Sequence, residues 1–117
     1  MSLVDDLTRE LKTVVPVVEM DLYRGEAEEY IVLTVTEEPD VYGDDDGQMI
    51  SCMVLANWCY AWRPHIKETA AWRKKKADIK AAMRRAGCTS PTVTEAGDYE
   101  WGQLAFEANA MEAADEN

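Results

Sequence analysis

A single histidine, three cysteines and no C-x-x-C pair leave this 117-residue sequence with few of the residue types that build metal centres or nucleophilic sites. Cys52, Cys59 and Cys88 are odd in number and unclustered, which argues against a disulfide framework and suits a reducing compartment. Cys52 and Cys59 also differ in strand parity and point to opposite faces, so with one histidine in the chain a zinc site is not expected. His65 follows Pro64 at a helix start, with no Ser or Cys arrangement that signals a triad. The glycines are scattered through turns and form no phosphate loop. No apolar run approaches the length of a membrane span. The opening "MSLVDDLTRE" carries Asp5 and Asp6 where a secretory leader needs positive charge, so a soluble cytosolic product is expected.

Basic charge is scarce too, and unevenly placed. Of the 12 Lys and Arg, nine fall between Arg63 and Arg85, against only Glu68 and Asp78 there; the rest of the chain holds three basic and 21 acidic residues. One segment is therefore strongly positive in a chain of net charge -11. Such polarity suits head-to-tail association of like subunits better than binding to nucleic acid, which the acidic remainder would repel. The plainer reading is a helix face solvated by lysines.

What is present is a single domain's worth of chain, 47% hydrophobic. Ser2 followed by Asp5 resembles a capping box, and Val4, Leu7, Leu11 and Val14 recur at helical spacing until Pro16. "VPVVEMDLYRG" reads as a strand ending at Gly25 and "YIVLTVTEE" as a second, β-branched strand. A long third strand, "QMISCMVLANWCYAW", places Ile50, Cys52, Val54, Ala56, Trp58 and Tyr60 on one face, the expected core face. After Pro64 the period becomes helical. Trp72, Ile79, Met83 and Ala86 form an inner stripe, Arg73, Lys76, Lys80 and Arg84 an outer one flanked by Lys74 and Lys75, and Gly87 closes the helix. "SPTVTEAG" and "WGQLAFEANAM" complete a hairpin. The expectation is an α+β domain over 1–111, a mostly antiparallel sheet with its helices on one face, followed by a frayed acidic tail over 112–117.

Between the second and third strands, "EEPDVYGDDDGQ" carries six carboxylates in 12 residues. An EF-hand read with Gly47 as its glycine fails, because Tyr42 takes the first ligand position and Met53 the last. General acid and base chemistry needs carboxylates in unlike environments, whereas Asp44, Asp45 and Asp46 share one glycine-flanked loop. A solvated turn is the simplest reading. Repeated around an assembly, Asp40, Asp44, Asp45 and Asp46 would crowd like charges, and divalent cations would then promote association. Four tryptophans are many for this length. They are expected mainly in the core, with Trp62 and Trp101, near element ends, as interface candidates.

Taken together, "YIVLTVTEEPDVYGDDDGQ", the long strand after it, the basic helix ending in "AG" and the closing "GQLAFEANAM" strand resemble the small tail-completion proteins of long-tailed bacteriophages, the tail-terminator family. The likeness runs from about Val17 to Met111 and departs at Cys88, where an aromatic residue is more usual. It implies a non-catalytic virion protein without cofactor, found at the neck end of the tail and in the bacterial cytoplasm during assembly. It also implies a homo-oligomeric, hexameric ring that caps the tail tube protein, ends polymerisation and presents a surface to the head-tail connector protein, with no membrane and no nucleic acid sequence recognition. The interface expected from charge comprises Arg73, Lys74, Lys75, Lys76, Lys80 and Arg84. A head-completion or other neck protein, and a small acidic prophage regulator or DNA mimic, remain as alternative readings.

Overall fold

The computed structural model describes residues 2–37, 49–97 and 101–113. Helix α1 (Leu3–Lys12) leads to strand β1 (Val18–Met20), β2 (Glu29–Glu37) and β3 (Met49–Ala61); a 3-10 turn at Ile66–Glu68 precedes helix α2 (Ala70–Arg85), and β4 (Thr92–Glu95) and β5 (Trp101–Ala113) close the fold. The five strands lie in the order β1-β2-β3-β5-β4. All pairings are antiparallel except β1 with β2. The α+β class, the single sheet and the order of elements are those expected from the sequence.

The sheet is organised by the side-chain alternation of its two longest strands. Cys52, Val54, Ala56, Trp58 and Tyr60 on β3 are buried, as are Leu104, Phe106, Ala108 and Ala110 on β5, and their register brings the two rows side by side. Ile31 and Leu33 of β2 extend the same face. Leu3, Leu7 and Leu11 of α1 and Trp72, Ile79, Ala82 and Met83 of α2 cover it, forming one core cluster. Both helices therefore occupy one side of the sheet. Among the described residues no helix is long and apolar enough to cross a membrane.

Several expectations shift in detail. The buried stripe of α1 is Leu3, Leu7 and Leu11, continued by Val15 beyond the helix, while Val4 and Val14 are half-buried. An i, i+4 row keeps to one side of a short helix, and the i, i+3 steps through Val4 and Val14 drift off it. The helix itself opens as read, with Ser2 Oγ accepting from the Asp5 N–H at 3.0 Å.

The first strand is much shorter than the segment running to Gly25. Asp21 adopts φ 61°, which turns the chain out of the sheet after three paired residues. So short a strand lets residues 21–28 return the chain to a parallel neighbour without a helical crossover. Tyr23 anchors this return, its hydroxyl accepting from the Ala27 N–H at 2.9 Å and its ring 4.5 Å from that of Tyr30.

The boundary at residue 111 is also corrected. β5 continues to Ala113, paired with Met49, and Glu112 Oε2 accepts from the Leu3 N–H at 2.9 Å. The carboxylate is held there because the first turn of α1 has unpaired N–H groups and a positive dipole end. The acidic loop with Asp40, Asp44, Asp45 and Asp46 lies outside the described residues, as does the remainder of the expected tail, 114–117.

Candidate subunit interface

α2 carries most of the basic residues, and its seating decides which of them face outward. The helix begins where Thr69 caps it, Thr69 Oγ1 accepting from the Trp72 N–H at 3.1 Å. It ends in a Schellman turn: the Cys88 N–H bonds the Met83 carbonyl and the Gly87 N–H bonds the Arg84 carbonyl, each at 3.0 Å, with Gly87 at φ 105°. Cys88, where the tail-terminator pattern has an aromatic residue, is buried beneath this turn, and burial pushes its thiol up to about 11.

The inner side of α2 is fixed by aromatic packing and one carboxylate. Trp58 lies 4.6 Å from Tyr60 and 5.9 Å from Trp72, centroid to centroid. Glu29, at the start of β2, accepts from Trp58 Nε1 at 2.8 Å, and Lys75 Nζ meets both of its oxygens at 3.0 Å. Lys75 is thus turned toward the sheet, where it ties helix to strand, while its neighbour Lys74 points away. An open cleft of about 550 Å³ adjoins this cluster, with Arg63 and Ile66 on its walls. Sequence reasoning missed Glu29, which lies 46 positions from Lys75 and has no local pattern to mark it.

On the outer side, Lys74 pairs with Asp78 at 2.7 Å, Arg73 Nε donates to the Lys67 carbonyl at 3.3 Å, and Lys76 stands over the Trp72 ring at 5.6 Å. Among the described residues, Arg73, Lys76, Lys80 and Arg84 form no salt bridge. Arg85, at the end of the helix, reaches Glu10 of α1 at 2.7 Å, and that hydrogen bond with the guanidinium charge holds the Glu10 carboxyl below its ordinary value. The four residues of the expected outer stripe share one row along the helix, but only Arg73 and Arg84 are exposed; Lys76 and Lys80 are half-buried, because i, i+4 spacing from Trp72 and i, i+3 spacing to Met83 set them at the edge of the buried face.

Trp62 and Trp101 are 39% and 38% exposed, among the few large apolar side chains so open to solvent. Ala61 pairs with Trp101, so both lie at the same end of the sheet, away from the basic stripe's C-terminal half. Trp101 projects from the helix-free face, 5.9 Å from Tyr30. His65 sits at φ 63° with Nδ1 3.3 Å from Glu68, both side chains largely in solvent. Among the described residues no group of three or more His, Cys, Asp or Glu could hold a metal ion.

No protein-family model matches the chain, and no curated protein matches it. Twelve chains of solved structure do match. One of them, which bears a sequence identifier in place of a descriptive name, superimposes with a TM-score of 0.59 at 9% sequence identity, over 97% of this chain and 91% of its own. At that identity the chain is similar to it in fold alone.

Proposed function

We propose that this chain is a structural virion protein of a long-tailed phage or prophage, of the tail-terminator kind, that assembles as a ring on the end of the tail tube and catalyses no reaction. The observation that carries this reading is the outer face of α2. Arg73, Lys76, Lys80 and Arg84 project together, without salt-bridge partners among the described residues, from a chain that is otherwise strongly acidic. Cations along one side, exposed at Arg73 and Arg84 and half-buried at Lys76 and Lys80, with surplus carboxylates elsewhere make successive subunits complementary, which favours a closed ring of heterologous contacts. The same ring would present one surface to the tail tube and another to the head connector. The element order, with a long basic helix ending in a glycine turn before a closing hairpin, supports the resemblance carried by the sequence.

Reversing Lys76 and Lys80 to Glu tests the reading. Both side chains are half-buried but form no salt bridge among the described residues, so their reversal costs a monomer about 1 kcal/mol each and the variant folds, yet each loss is repeated at every subunit contact. Negative-stain microscopy with purified tail tubes is expected to show wild-type density at one tube end and none for the variant. A variant that caps tubes like wild type removes the basic face from the mechanism. A salt-sensitive DNA shift that wild type shows and the variant loses favours nucleic acid instead.

A further inference from the structure

The face of the sheet opposite the helices has an unusual composition. Alternate positions of 30–36, 51–61 and 101–111 provide 16 outward side chains from β2, β3 and β5, of which Glu107 alone is charged. At the chain's own 30% frequency of charged residues about five would be expected. Depletion of charge with retention of Tyr, Trp, Met and Leu is the composition of an interface core and not of a solvated sheet. The side chains are half-buried along the whole of β3 from Ser51 to Ala61. Gln103 Nε2 donates to Asn57 Oδ1 at 3.0 Å, a hydrogen bond that links the two amides across the strands.

We infer that this helix-free sheet face is a second contact surface, and that its occupant is the same face of another copy of this chain. Two observations support a second copy. Rows of 7, 11 and 11 residues at about 3.3 Å per residue, in strands about 4.8 Å apart, give a patch of about 460 Å² in plan, so a pair buries about 900 Å² or more, close to the threshold of a specific interface. The patch is also self-complementary end to end. Its two termini differ in chemistry, with Trp101 and Tyr30 at one and Met53 and Met111 at the other. A two-fold axis between the sheets and across the strands sets the aromatic end of one copy against the methionine end of its partner, a favourable sulfur–aromatic pairing. The axis passes between Ala105 and Glu107, and sheets so stacked lie about 10 Å apart, room enough for one layer of these side chains from each.

This contact does not rest on the tail reading, and it uses the side of the molecule opposite α2. The two associations respond oppositely to salt. Each copy carries a net charge of -11 and the axis brings the two Glu107 carboxylates near each other, so the pairing is opposed by repulsion that salt screens, and it strengthens from about 50 to 500 mM. Contacts between the basic stripe and acidic surface weaken over the same range.

Sedimentation equilibrium of the full chain tests the inference. Wild type is expected to dimerise with an affinity that rises with salt, Leu55→Lys to weaken it at least 10-fold, and Lys76→Glu with Lys80→Glu to leave it intact. Trp101→Ala and Met111→Ala sit ten residues apart, about 33 Å, too far to couple within one chain. Their effects on dimerisation are therefore expected to be non-additive only because the residues meet across the two-fold axis. Should Leu55→Lys not fold, wild-type alkylation serves instead: Cys59 lies on this face while Cys52 and Cys88 are buried, so its labelling rate is expected to fall as protein concentration rises. A wild-type monomer at all salt concentrations with concentration-independent labelling of Cys59, or an association insensitive to Leu55→Lys, overturns the inference. Additive effects of Trp101→Ala and Met111→Ala overturn the two-fold arrangement.

Discussion

Leu3 donates its backbone N–H to the Glu112 carboxylate at 2.9 Å, joining the first turn of the first helix to the end of the last strand across 109 positions. This contact places the two chain ends in one structural unit. A carboxylate at a helix N-terminus meets both an unpaired donor and the positive end of the dipole. Glu112→Ala is therefore expected to lower stability by about 1 kcal/mol, a fall of about 4 to 8 °C in melting temperature for a domain of this size, read by thermal circular dichroism. Truncation after Met111 should do the same. Unchanged melting in both variants would show that the helix start does not depend on the carboxylate.

Glu29 is expected to matter more than its position at a strand end suggests. Removing it leaves the Trp58 indole N–H, which is mostly out of water, without its acceptor, and Lys75 without its partner. Glu29→Ala should cost about 2 to 3 kcal/mol by urea denaturation, whereas Lys75→Met, which leaves the Trp58 hydrogen bond, should cost about 1 kcal/mol or less. Equal losses in the two variants would assign the effect to the ion pair alone.

The buried thiol of Cys88 provides a pH test. Its folded value of about 11 exceeds the ordinary 9.0, so the fold favours the neutral thiol; that preference is complete below pH 9 and is lost as pH rises through 11. Stability should fall over this window by up to about 2 kcal/mol more in wild type than in Cys88→Ala. Cys59 and Tyr30 are raised by burial as well, so the variant retains some alkaline sensitivity. Parallel curves for the two proteins between pH 9 and 11 would contradict the assignment.

If the proposed ring forms, Asp44, Asp45 and Asp46 are expected to bear on its assembly. Where copies of the loop meet, magnesium relieves their repulsion, so wild-type mass by light scattering should rise across a magnesium titration and the triple Asn variant should not respond. The monomer's melting temperature is expected to change little, as for most surface substitutions. A wild-type mass that ignores the cation would dismiss the loop.

His65 supplies a negative control. Its side chain is 80% exposed and meets Glu68 in solvent, so His65→Ala should preserve tail capping wherever the protein folds. Loss of capping by a folded variant would reopen a catalytic or contact role.

The legible parts of this fold are those set by backbone periodicity. Alternation along β3 identifies Cys52, Val54, Ala56, Trp58 and Tyr60 as the buried row because successive side chains of a strand must point to opposite faces. The stripe of Trp72, Ile79 and Met83 and the glycine turn of α2 are equally local, and helical spacing alone groups Arg73, Lys76, Lys80 and Arg84 in a row beside them. β1 is harder to read, since the apolar run through Leu22 does not reveal that Asp21 takes a left-handed turn.

Element order, the α+β class, the core face of each long strand and the segregation of positive charge on α2 follow from residue order alone, because each depends on neighbours within a few positions. Folding decided which partners meet: that Lys75 turns inward to Glu29 while Arg73 and Arg84 stay outward, that Glu112 reaches Leu3, and that β1 lies parallel to β2. It also brought three weakly polar strand rows into one nearly uncharged surface, which no single strand displays. These are contacts between segments tens of residues apart, set by sheet register and helix seating; alternation along a strand fixes which side chains face the core but does not say which strand or helix lies beside them.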